Sequence, residues 1–126
     1  MTGDHELVHD GTEALVEARV SVPDGETARR IAEELVSGGR AACVQILGPM
    51  ASVYLWKGEV HRSNEYLLLV KTLESSFQQV VEIVRRHHRY DVPEVVAVPV
   101  SHALAEYGEW VVTHSRGRQH SDGRVV

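Results

Sequence analysis

Two short runs, "YLLLV" at 66–70 and "VVAVPV" at 95–100, are apolar at consecutive positions. Successive side chains of a strand point to opposite faces, so each run, as a strand, needs cover on both sides. A small sheet with helices on one side leaves its other face open. "SVYLW" at 52–56 adds a tyrosine and a tryptophan to the same surplus. A second copy of the chain is the simplest cover for such a face, and the pattern predicts an obligate oligomer.

The other segments supply the layers. "ALVEARVSV" (14–22) alternates, with Ala14, Val16, Ala18, Val20 and Val22 on one side and Glu17, Arg19 and Ser21 on the other, which predicts a half-buried strand. "PDGET" turns the chain into a helix whose stripe is Ala28, Ile31, Ala32, Leu35 and Val36, and "SGG" ends it. "AACVQIL" (41–47) reads as a second strand, "ASVYLWKGEV" (51–60) as a third with a Lys-Gly break, and "NEYLLLVKT" (64–72) as a fourth. A second helix is expected to be capped by Ser75 or Ser76, with Gln78 or Gln79 answering, and to bury Phe77, Val80, Val81 and Val84. "PEVVAVPV" (93–100) gives a fifth strand, followed by a short helix carrying Leu104, Tyr107, Trp110 and Val111. The order β-α-β-β-β-α-β-α predicts an α+β, ferredoxin-like split β-α-β sandwich. It has an extra hairpin strand, a short C-terminal helix, and the first strand at the centre of the sheet. The domain is expected at 13–114, with residues 1–12 and 115–126 as flexible tails.

Composition narrows the function. A chain of 126 residues is one domain. A net charge of −5 without a basic stripe argues against nucleic acid. No apolar run reaches the roughly 18 residues of a membrane span. The start, "MTGDHELVHDG", lacks the basic and apolar regions of a secretion signal. Cys43 is the only cysteine and forms no internal disulfide, so a reducing, cytoplasmic location is expected. The chain has no G-x-S-x-G, P-loop, H-E-x-x-H or C-x-x-C, and no enzymatic function is expected. Glu33, Glu34 and Glu82 are expected on solvated helix faces.

The chemistry concentrates in "RRHHRYDVPE" at 85–94. His87 and His88 are imidazole donors of the kind copper, zinc and nickel take. Adjacent helical residues point about 100° apart, however. His88, four residues after Val84, extends the buried stripe. Arg85, Arg86 and Arg89 complement the helix C-terminus and repel a cation. On the residues alone the pair reads as a helix end. Pro93 keeps Val92 out of the helical region and resets the chain to a strand. Asp91 and Glu94 are candidate ligands or partners of the arginines. Cys43 reads as a small buried hydrophobe. His5, His9, His114 and His120 lie in or beside the tails, where they can take up metal adventitiously.

"VPD-x-ETARRIAEELV", "RAACVQI", "VYLWKGEV", "LLLVKT", "HHRYDVPEVVAVPV" and "YGEWV", in this order over residues 14 to 114, resemble the divalent-cation tolerance (CutA) family. The resemblance implies a ferredoxin-like homotrimer tied to tolerance of copper and other divalent cations, with no established enzymatic activity. It also implies a copper site built from a cysteine near the end of the first strand and the histidine pair. That cysteine position is Val20 here, so the softest ligand is missing and only weak binding of cupric ion at His87 and His88 is expected. The resemblance places the 90–94 segment at the rim of an inter-subunit cleft approached by Tyr54, Trp56, Glu59, Glu65 and Lys71. With Tyr90 and Glu94 these make a candidate small-molecule site. A trimer with lateral clefts is also similar to PII-type signalling proteins. That likeness gives a second reading, a signalling or scaffolding module that binds a metabolite or a protein partner.

Overall fold

The computed structural model describes residues 14–117, so the first expected tail and all but Ser115, Arg116 and Gly117 of the second lie outside the described residues. Four strands alternate with three helices: β1 (Leu15–Val22), α1 (Gly25–Ser37), β2 (Cys43–Trp56), β3 (Glu59–Leu73), α2 (Phe77–His87), β4 (Val95–Pro99) and α3 (Ala105–His114), with a 3₁₀ turn (Glu74–Ser76) leading into α2. The sheet order is β2-β3-β1-β4, and every neighbouring pair is antiparallel. β1 therefore lies inside the sheet, as its alternation suggests. Two crossovers, β1-α1-β2 and β3-α2-β4, interleave. This is the split β-α-β arrangement, one four-stranded antiparallel sheet in an α+β domain.

The alternation of β1 builds the core. Ala18, Val20 and Val22 face Ile31 and Leu35 of α1 and Val80 and Val84 of α2, with Leu68 and Val70 beside them on β3. Asp24 starts α1: its Oδ1 accepts the Thr27 N–H at 2.7 Å. That bond holds the Asp24 carboxyl below its ordinary value. At the other end Gly39 takes φ 72°, the left-handed turn that glycine tolerates.

The strand count corrects the reading from sequence. Residues 43–56 form one strand, with a register shift between Leu47 and Met50, where two strands and a turn were expected. Gly48 and Pro49 sit in a bulge, and pairing with β3 resumes at Met50. The extra hairpin strand is thus the second half of β2. The expected Lys-Gly break is the hairpin turn itself: Lys57 and Gly58 have φ 52° and 81°, the two positive values of a tight two-residue turn. Lysine seldom adopts that conformation, which hid the turn.

The start of α2 also differs. Ser76 occupies the N-cap position but makes no side-chain cap bond. Its hydroxyl instead donates to the Ser115 carbonyl at 2.6 Å. Ser115 is itself buried, and the Gly117 N–H donates to the Gly39 carbonyl at 2.6 Å, so the chain stays packed past residue 114. Of the residues expected to mark α3, Val111 is buried with Leu15, Ala42 and Leu73, while Leu104, Tyr107 and Trp110 are exposed.

Candidate functional site

The helices α1 and α2 cover one face of the sheet, and α3 covers one end of the other. Beyond α3 the second face is open. Register places Gln45, Leu69, Arg19 and Val96 in one row on it, and Leu47, Leu67 and Ser21 in the next. Further along, β1 ends at Val22, opposite Tyr66. From Met50–Glu65 pairing outward to Trp56–Glu59, β2 and β3 continue alone as a two-stranded arm.

Where the arm leaves the sheet, it faces the segment after α2 across a cavity of about 640 Å³. Tyr54 and Trp56 line it from β2, Glu65 from β3 and Ser21 from β1. Arg89, Tyr90, Asp91 and Glu94 close the opposite wall. Glu65 is only 7% exposed, and its Oε2 accepts the Tyr90 hydroxyl at 3.3 Å. Burial and the Glu65 carboxylate raise the Tyr90 phenol, which keeps it protonated as the donor. The Ser21 hydroxyl donates to Glu94 Oε1 at 2.9 Å. Arg89 reaches away to Asp24 Oδ2 at 2.9 Å, tying the wall to the start of α1.

Five of the residues singled out from sequence, Tyr54, Trp56, Glu65, Tyr90 and Glu94, thus lie round one cavity. Lys71 does not. It is six residues from Glu65 along β3, about 20 Å at strand rise. Its Nζ donates to Gln45 Oε1 at 2.7 Å and lies 3.5 Å from Glu17 Oε2. Glu59 sits opposite Trp56 at the far end of the arm. Ser21 and Arg89 were not anticipated as lining residues. Ser21 is an ordinary outward position of an alternating strand, and only the β1–β4 pairing brings it to Glu94.

The histidine pair divides. His87, the last residue of α2, directs Nε2 to Glu34 Oε1 at 2.7 Å. Arg86 binds the other oxygen of the same carboxylate. Glu34, expected on a solvated face, is therefore the clasp between α1 and α2. The His87 hydrogen bond holds its carboxyl below the ordinary value; burial opposes this and Arg86 adds to it. His88 lies just past the helix in extended conformation. Its Nε2 meets the Ser21 carbonyl at 2.6 Å, and its Nδ1 accepts the Tyr90 N–H at 3.2 Å. A ring that accepts at one nitrogen and donates to a carbonyl from the other is a neutral imidazole with no lone pair left over. The two rings thus serve different partners. Val20 is fully buried among the helix-facing residues, so its side chain belongs to the core. Among the described residues no group of three or more His, Cys, Asp or Glu is arranged to hold a metal ion. The geometry does not fit a preformed copper site. Cys43 is a free, partly buried thiol on β2, opposite Lys71.

Comparison with known proteins places the chain. The family model described as "CutA1 divalent ion tolerance protein" matches residues 16–114, almost the whole described body. The chain belongs to the CutA1 family. The divalent-cation tolerance protein CutA of Thermus thermophilus is 45% identical over 92 residues, covering 73% of this chain and 89% of the relative. The chloroplastic Protein CutA 1 of Oryza sativa is 41% identical over 97 residues, 77% of this chain but only 55% of the rice protein. The chain thus spans little more than half of that relative. Solved CutA1 structures share the fold. The Thermus thermophilus protein superposes with a TM-score of 0.79 at 40% identity over 80% of this chain and 98% of that one. The Oryza sativa structure gives 0.79 at 39% identity over 82% and 94%. CutA1 proteins are named for tolerance of divalent ions and not for a reaction. No helix among the described residues is long and apolar enough to cross a membrane.

Proposed function

We propose that the chain acts in the cytoplasm as a non-enzymatic homotrimer in the response to divalent metal ions, copper included. The observation that carries the self-assembly is the projecting arm. Val53, Leu55 and Val60 are 63%, 71% and 60% exposed on a two-stranded ribbon that, among the described residues, has no third strand beside it. Such a ribbon is marginal in water by itself and is stabilised by packing on another surface. Copper binding, in this reading, is weak. His87 can offer Nδ1 while its Nε2 stays on Glu34, but His88 must give up one of its two hydrogen bonds to free a lone pair, and no thiolate assists. Titration of cupric ion into protein trimmed of the tail histidines, and into the double variant His87→Ala, His88→Ala, tests this. Weak binding that the variant abolishes supports the histidine pair, and equal affinity in both discards it.

The cavity favours a second reading, in which the assembly is a sensor or scaffold that takes a small ligand between arm and loop. Its size is that of a metabolite site, and polar and aromatic groups converge on it. A ligand that binds only the native assembly raises its melting temperature. A thermal-shift screen of nucleotides, amino acids and amines measures this, and a flat response across all of them counts against the reading.

A further inference from the structure

We propose that the cavity takes a small organic cation, an amine or guanidine compound, with Glu65 as counter-charge and the rings of Tyr54, Trp56 and Tyr90 as walls. The inference rests on the reading that the cavity holds a ligand, and it names that ligand's chemistry.

Charge decides the sign. Glu65, Asp91 and Glu94 face the cavity against one cation, Arg89, whose guanidinium is already 2.9 Å from Asp24. Glu65 is the telling group. It is more than nine-tenths buried, yet among the described residues no ion pair reaches it, and its hydrogen bond from Tyr90 is a long 3.3 Å. A carboxylate withdrawn from water is normally matched by a cation, because its desolvation is otherwise uncompensated. Here the space beside it is open, and a ligand's ammonium or guanidinium would fill the role. An anion would meet the same carboxylate with like charge.

The walls select an organic cation over a bare metal ion. Tyr54, Trp56 and Tyr90 each remain more than 40% exposed in the described chain. Their π faces attract cations, most strongly where water is excluded. The chain already shows this chemistry once, since the Lys57 ammonium lies 5.9 Å from the centre of the Trp56 ring. Tyr54 stacks on His61 at 5.7 Å, so one face of that ring is taken. A hard divalent ion wants six or more oxygen ligands and gains nothing from aromatic rings. The cavity's three carboxylates are not gathered as a metal-binding group among the described residues, Glu94 and Glu65 already accept from Ser21 and Tyr90, and the volume is far beyond one ion's need.

Calorimetric titration of the full-length protein with agmatine, putrescine and choline tests the proposal, with succinate, ATP and magnesium chloride titrated alongside. Binding of at least one organic cation is expected, weakened about ten- to hundredfold by Glu65→Gln. Trp56→Ala is expected to weaken it too. Glu33→Gln, which removes the same charge from an exposed position of α1 away from the cavity, is expected to leave it unchanged. Trp56 is half exposed, so its variant keeps the question answerable where Glu65→Gln fails to fold. Binding of succinate or ATP with the cations silent overturns the cation inference while the ligand reading stands. Cation binding that survives both cavity variants overturns it as well. Silence from every compound removes the ligand reading and the inference together.

Discussion

At the scale of single residues, the same histidines that suggest a metal site in the sequence are structural braces in the fold. Their apo behaviour separates the roles. His88→Ala strips a partner from the Ser21 carbonyl and another from the Tyr90 N–H. In metal-free protein it is expected to lower stability by about 2 kcal/mol, read as a urea midpoint. His87→Ala loosens only a part-exposed pair with Glu34 and is expected to cost less than about 1 kcal/mol. Equal, negligible effects of both changes would show that neither ring braces the fold. Gly48 makes a second demand. At φ 146° its backbone suits glycine, and an added Cβ would lie 2.7 Å from Tyr66 Cδ2 and 3.1 Å from the Glu65 carbonyl. Gly48→Ala is therefore expected to cost about 1–3 kcal/mol. Because the displaced backbone carries Glu65, the cavity should be disturbed with it. Neither demand is visible in the sequence. A histidine pair after a helix looks alike whether it faces a metal or a carbonyl, and "GPM" looks like a turn until the partner strand shows that pairing resumes past it.

At the scale of elements, alternation and helical stripes were enough to place β1, α1 and α2 and to predict a sheet with helices on one face. They failed where the local signal is ambiguous. The two halves of β2 read as separate strands because Gly48 and Pro49 interrupt the pattern. The true turn was passed over because lysine stands in it. Convergence of Tyr54, Trp56 and Glu65 with Tyr90 and Glu94 was suggested by family likeness, and its geometry follows from the β2–β3 register together with the loop after α2. Glu34 was misjudged because its partners lie more than fifty residues away on α2. That clasp has a pH signature. The folded carboxyl titrates below the ordinary 4.5 of a glutamate. Its contribution is therefore complete above that value and is lost as pH falls through the lower folded one. Thermal melts of the native protein should fall more steeply below about pH 4.5 than melts of Glu34→Gln. Parallel pH profiles for the two proteins would show that the clasp carries no stability. The turn gives an independent check: Lys57→Asn relieves a lysine at positive φ and is expected to stabilise the hairpin by up to about 1 kcal/mol.

At the scale of the whole molecule, one described chain leaves an apolar remainder. The sheet face beyond α3 carries Leu47, Leu67, Leu69 and Val96, and the arm carries Val53, Leu55 and Val60. Both are continuous with the cavity wall, so whatever covers them also shapes the site. The arm is where assembly can be broken without touching the core. Leu55 is 71% exposed, and register pairs it with Val60. A charge there leaves the packing of β1, α1 and α2 alone but cannot be buried against a partner without desolvation. Under the proposed trimer, in which assembly would be coupled to folding, native protein is expected to sediment as three chains at micromolar concentration and to melt above about 60 °C. Leu55→Glu should shift the sedimenting species toward the mass of one chain. Its melting temperature should also drop, most at low protein concentration, since the weakened interface then releases free chains. Native protein that sediments as one chain would mean that the arm stands free and that the cavity is complete within a single copy, and a Leu55→Glu variant that keeps both mass and melting temperature would mean that the arm's apolar face is not what holds the chains together.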